Sequence, residues 1–212
     1  MSEPDYAAPL DQLLTLGEPK PWDIWCEYRS MGVRPEHVPE LIRTVRQARQ
    51  YAPDPVPDDV VDTLLEVARW TGSSRNSQPW HFIVITDQEQ LRRISQLRTP
   101  INWVAEAPLG IGIVLDGANA AGEAYDEGRV TERLLIAARS LGLGGGVAWY
   151  GDADQQAEGK RILGIPAERD ARSVVIIGHA TSTKDPRPNA RPGGRKEPSE
   201  VFSYNTWGQA KA

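Results

Sequence analysis

Apolar residues fall into two periods along this chain, and the switching between them predicts most of its elements. From His37 the pattern is helical: Val38, Leu41, Ile42 and Val45 recur at i, i+3, i+4 and i+7, with arginines on other faces. Prolines at 53, 55 and 57 end that helix, because proline lacks a backbone donor and disfavours helix in the residue before it. Asp58 or Asp59 then reads as an N-cap for a second helix carrying Val60, Val61, Leu64, Leu65, Val67 and Ala68. Residues 82–85 are a short β-branched run, read as a buried strand, and Asp87 caps a brief helix through Leu91 and Ile94. Residues 107–115 form the second core strand, with glycines that suit close backbone approach. A long helix follows from about 120 to 141, with Val130, Leu134, Leu135 and Ala138 on one face and Gly142 at the left-handed position after its end. A strand starting at 147–150, a helix over 153–163 and a last core strand over 173–179 complete the series. Strands separated by helices, with the longest helices packed on each other, predict a three-layer α+β domain.

The flanks behave differently. Residues 1–35, rich in proline, tryptophan and charge, read as an arm that packs onto another surface such as a second subunit, and 36–212 as the domain proper. Residues 181–200 are too polar for a core, whereas Val201, Phe202, Tyr204 and Trp207 predict that the tail docks somewhere. A chain 40% hydrophobic and 25% charged is globular, and a net charge of -5 argues against nucleic acid or a membrane surface as partner. No apolar run approaches the roughly 20 residues of a membrane span, and the N-terminus lacks a signal-peptide pattern, so a cytoplasmic location is expected. The single cysteine, Cys26, leaves no internal disulfide and reads as a small buried hydrophobe. His37, His81 and His179 are scattered, and no metal-ligand spacing is found.

Three stretches carry candidate chemistry. Residues 73–82 (SSRNSQPWHF) concentrate hydroxyls and amides where a helix hands over to a strand, a place where free backbone and short polar side chains can bond the edge of a flat heteroaromatic ligand. Asn76 and Gln78 read equally as turn residues, and Ser73 and Ser74 as the end of the preceding helix; Trp80 reads as core and His81 as a structural histidine. Arg43, Arg46 and Arg49, three apart, are either a solvated helix face or a phosphate clamp, since guanidinium forks match phosphate oxygens. Glycines at 142 and 144–146 are a helix stop and turn, or bare backbone able to approach a planar ring. They follow a helix and precede a strand, the reverse of the order in a dinucleotide-binding fold. The alternating charges over 125–133 read as a solvated helix start.

Residues 73–80 resemble the Ser-x-x-Asn-x-Gln-Pro-Trp signature of the FMN-dependent nitroreductase family. Residues 46–57 (RQARQYAPDPVP) resemble the family's Arg-x-x-Arg-x-aromatic-x-Pro-Asp-Pro-Val-Pro segment, with Val45 and Gln47 standing where many members carry arginine and serine. The Gly-Leu-Gly helix end at 142–144, leading into a Trp-containing strand, and the late segment 193–201 (GGRKEPSEV) follow in the family's order. The resemblance implies a three-layer fold with a central, mostly antiparallel sheet flanked by helices, and domain-exchanged termini in a homodimer with FMN at the subunit interface. It implies that Arg46, Gln47, Arg49, Arg195 and Lys196 grip the FMN phosphate and ribityl chain, that Ser73, Ser74, Asn76 and Gln78 line the ring, and that Leu143, Gly144 and Gly145 approach its reactive edge. The activity implied is an NAD(P)H-dependent oxidoreductase that reduces nitroaromatics, quinones or similar planar acceptors by a ping-pong mechanism. NADPH or NADH would be the co-substrate, and the chemistry would lie on the flavin, with no acid–base triad. Reductive dehalogenation, flavin cannibalisation or a flavin-binding scaffold without turnover are the alternatives.

Overall fold

The computed structural model describes residues 37–182 and 195–211. The arm at 1–35, with Cys26, lies outside them. In chain order the elements are α1 (Val38–Thr44), β1 (Gln50–Tyr51), α2 (Asp58–Arg69), β2 (Trp80–Ile85), α3 (Gln88–Ser95), β3 (Leu109–Leu115), α4 (Ala120–Ser140), β4 (Gly144–Trp149), α5 (Ala153–Leu163), β5 (Ser173–Gly178), β6 (Ala180–Ser182) and α6 (Pro198–Val201). One antiparallel sheet runs β2-β3-β5-β4, and a two-stranded ribbon pairs β1 with β6.

The sheet has a core on each face because its middle strands alternate apolar side chains between two helical layers. Leu109, Ile111, Ile113 and Leu115 of β3, with Val175 and Ile177 of β5, pack with Val61, Leu64 and Ala68 of α2 and Val130 and Leu134 of α4. Val114 of β3 and Val174 and Ile176 of β5 pack the other way, with Leu91 and Ile94 of α3 and Ile162 of α5. A fully buried side chain such as Leu64 contributes about 1.5–3 kcal/mol relative to exposure. The two longest helices do share a layer, as the pattern predicts, and the fold is the three-layer α+β arrangement.

Three expectations are corrected. The helix from His37 stops at Thr44 and buries none of its residues, while Val45 to Arg49 run on as extended chain. The reason is tertiary: the Ala48 amide donates to the Gly145 carbonyl at 2.8 Å, and Gln47 bridges in parallel to Gly145, so the segment lies along the free edge of β4. Asp58 and Asp59 occupy the first turn of α2, after Pro57 at the cap, and favour the helix through its dipole. Strand β2 is an edge strand and only half-buried, with His81 and Val84 exposed.

Candidate functional site

The Ser73–Gln78 stretch leaves α2 and turns sharply into β2. Three of its residues are left-handed without being glycine: Arg75 (φ 53), Asn76 (φ 55) and Gln78 (φ 48). Each such residue costs of order 1–2 kcal/mol, so the turn persists only if its surroundings over-determine it. Local bonds do part of this. The Ser77 amide donates to the Ser74 carbonyl at 3.0 Å, and the Gln78 amide to the Ser73 hydroxyl at 2.8 Å. Ser74, Arg75, Asn76 and Gln78 are exposed, so their remaining donors face outward.

The remainder comes from α4, where two of the acids read from sequence as solvated, Asp126 and Glu127, turn inward. Glu123, Asp126 and Glu127 are buried. Glu123 accepts the amides of Gly117, Ala118 and Asn119 at 2.9–3.0 Å, which closes the entry to α4. Asp126 takes the Ser74 amide at 3.2 Å and the Arg129 guanidinium at 3.3 Å. Glu127 accepts from the Ser173 hydroxyl at 2.9 Å and from Arg172 at 3.0 Å. Sequence reasoning missed all three, because their partners Ser74, Arg172 and Ser173 are 45 to 52 residues away and Gly117 lies in the preceding turn. The one available signal was three acids within five positions of a helix whose apolar face is narrow.

The cationic segment lies elsewhere. Arg46 folds back on the end of α1, donating to the carbonyls of Arg43 and Val45 at 2.8 and 2.7 Å. Gln47 turns the other way, its Oε1 accepting from the Val147 amide at 3.3 Å, and Arg49 on the same side is half-buried. Between them Ala48 is fully buried, and its carbonyl accepts from Tyr51, whose phenol burial pushes well above its usual range and so keeps a neutral donor. Arg195 and Lys196 are exposed just before α6.

The glycine run is part of β4 rather than a loop. Gly142 does take the left-handed position (φ 75), and the Leu143 amide closes the helix end by donating to the Ala138 carbonyl at 2.8 Å. A side chain on Gly144 would collide with the Cβ atoms of Ala180 and Ala48, one on Gly145 would come within 2.7 Å of Leu135, and one on Gly146 would run into the Ala48 carbonyl. Bare backbone is therefore needed here to seat residues 46–51 and α4 against the strand.

The structure thus brings Arg46, Gln47 and Arg49 together with Leu143, Gly144 and Gly145, but it does not bring the Ser73–Gln78 turn to them. Ser74 is tied to Asp126 and Leu143 to Ala138, twelve residues apart on α4, a separation of roughly 18 Å at the helical rise. The turn enters β2 and the glycines enter β4, the two opposite edges of the sheet, from opposite ends. Two open hollows of about 360 and 330 Å³ surround Pro53 and Pro108, and neither is lined by the turn or by the arginines.

The donor set fits a flavin mononucleotide: guanidinium and ammonium groups for a phosphate, exposed amides and hydroxyls for the polar edge of a flat ring. Among the described residues no cluster of His, Cys, Asp and Glu could hold a metal ion, and no helix is long and apolar enough to cross a membrane.

The profile of the nitroreductase family matches residues 42–113. An Archaeoglobus fulgidus protein provisionally named NADH dehydrogenase/NAD(P)H nitroreductase is 32% identical over 154 residues, which span 69% of this chain and 87% of that protein. The FMN reductase [NAD(P)H] of Bacillus subtilis is 29% identical over 184 residues, 70% of each chain. A Desulfovibrio desulfuricans protein provisionally named a nitroreductase, crystallised with FMN, superposes with a TM-score of 0.69 at 25% identity, covering 82% of this chain and 98% of that one. Motif order, fold and relatives agree: this chain belongs to the nitroreductase family.

Proposed function

We propose that the protein is an FMN-dependent oxidoreductase that takes hydride from NADPH or NADH and reduces nitroaromatics, quinones or similar planar acceptors. The reading is supported by the donor set, in a chain whose relatives include an FMN reductase and a protein crystallised with FMN. Arg46 and Arg49, with Arg195 and Lys196, hold the phosphate, and Gln47 orients the segment on β4. Ser73, Ser74, Asn76 and Gln78 bond the ring's polar edge, and Leu143, Gly144 and Gly145 form a smooth backbone wall beside it. When bound, FMN supplies the redox chemistry, so the protein contributes orientation, charge and exclusion of water. One planar slot holds one planar partner at a time, so donor and acceptor alternate in ping-pong fashion.

The separation of the turn from the arginines supports a homodimer in which each FMN draws its phosphate site and the Leu143–Gly145 wall from one chain and the Ser73–Gln78 contacts to its ring from the other. The unit is then residues 36–212, with the arm at 1–35 and the tail exchanged between subunits. Phe202 and Trp207 fit that role, being 62% and 100% exposed in a single chain. Light scattering at low micromolar concentration is expected to give twice 23.4 kDa. A monomer that keeps its flavin would reject the shared site.

The deciding experiment is an anaerobic spectrum of the purified protein: a yellow protein carrying FMN and not FAD, bleached by NADPH or NADH and recoloured by an acceptor. A flavin that binds but never bleaches would leave a scaffold. Arg46→Ala and Arg195→Ala are each expected to weaken FMN binding about 10- to 150-fold, the worth of a charged hydrogen bond. Unchanged affinity in both variants would remove the phosphate clamp.

A further inference from the structure

The Ser73–Gln78 turn is strained, exposed and carries the ring-binding donors, so something outside it must hold its shape. We propose that Asp126 is the positioning residue for this turn, setting where Asn76 and Gln78 stand by fixing the Ser74 amide; the proposal rests on the flavin reading.

The geometry singles Asp126 out. Its side chain is 3% exposed, and it reaches across from the second turn of α4 to the residue at which the turn begins. Fixing Ser74 also fixes Arg75 and Asn76, because the Ser74 carbonyl is the acceptor for the Ser77 amide that closes the turn over them. The neighbouring residues of α4 grip the same stretch. The Arg129 guanidinium pairs with Asp126 and lies so close to the Gly72 backbone that a Cβ there would stand 2.7 Å from Nη2. Arg133, one turn further on, donates to the Trp70 carbonyl at 3.0 Å. Asp126, Arg129 and Arg133 recur at i, i+3 and i+7, so a single helix face holds residues 70–74. Of the three, only Asp126 bonds a residue inside the turn. The α4 helix thereby connects the turn at its start with the glycine strand beyond its end.

Two conservative variants separate position from charge. Asp126→Asn keeps an oxygen in place for the Ser74 amide and drops the charge. Asp126→Glu keeps the charge and the Arg129 partner but moves the oxygens by one methylene. FMN titration of the apoprotein, the flavin's visible circular dichroism and the melting temperature of the apoprotein would be measured for each. We expect Asp126→Asn to bind FMN within about threefold of the unaltered protein, with its flavin spectrum preserved. Asp126→Glu should lose about tenfold or more, with an altered spectrum and an apoprotein that still melts cooperatively. The reverse order, or equal affinity in both variants, overturns the proposal. Failure of the unaltered protein to bind FMN would instead overturn the flavin reading itself.

Discussion

Replacing Gly146 with alanine is expected to destabilise the fold severely. The added Cβ would run into the Ala48 carbonyl oxygen and stand 3.1 Å from the Trp103 ring and 3.2 Å from the Tyr51 hydroxyl. No rotamer change relieves the first clash, because the obstacle is backbone. Residues 46–51 would have to move off β4, giving up the Ala48 amide to Gly145 carbonyl bond and the Gln47 contact to Val147. Overpacking and the lost bonds together come to about 3 kcal/mol or more, a large part of a typical stability of about 5–15 kcal/mol. The same shift displaces Arg46 and Arg49, so any protein that survives should have lost its affinity for FMN. Gly128→Ala is the control: it lies exposed in α4 with open space at its Cβ position, and should gain about 0.5–1 kcal/mol from helix propensity. Urea denaturation of both variants is the measurement. A Gly146→Ala protein as stable as Gly128→Ala would mean that residues 46–51 do not lie against β4.

Removing the Glu127 carboxylate should be nearly as damaging, for an electrostatic reason. Glu127 and Arg172 are 8% and 14% exposed, and the carboxylate bonds both Arg172 and the Ser173 hydroxyl, tying α4 to the start of β5. In Glu127→Ala the guanidinium keeps Asp170 at 2.9 Å and the Ala120 carbonyl at 3.5 Å, and the buried hydroxyl loses its acceptor. Breaking a buried pair from one side typically costs about 3–5 kcal/mol when a desolvated charge is left behind, and the partners that Arg172 keeps put this case at the lower end. The pair itself is worth much less than that. Replacing both members by Met should therefore cost clearly less than the sum of Glu127→Met and Arg172→Met measured separately. Additive losses would show that the two side chains do not interact. Each variant should weaken FMN binding only as far as it weakens the fold, since neither residue is in the proposed site.

The elements legible in the sequence were those set by local rules. α5 lies at its predicted ends, and the structure shows why local rules suffice there: Asp152 and Gln155 form a capping box and Gly164 takes the left-handed stop, all within one short stretch. α4 ends where Gly142 permits a positive φ, and β3 and β5 declare themselves as unbroken apolar runs because both of their faces are covered. The motifs that identify the family are equally local, which is why their order along the chain was enough to name it.

Tertiary structure decided what depends on partners far away in the chain. The arginines at 46 and 49 carry a helical spacing, yet they leave the helix because the Ala48 amide finds the Gly145 carbonyl at an open sheet edge. The acids of α4 carry the pattern of a solvated face, yet they are buried because the Ser74 amide, the Ser173 hydroxyl and the Arg172 guanidinium arrive to satisfy them. Glycines 144–146 look like a turn, and become a strand because only backbone without side chains lets residues 46–51 and Leu135 close over it. A sequence displays the donors and acceptors a residue carries; which of them are spent inside the fold, and which stay free for a ligand, is set by the long-range contacts that compensate burial.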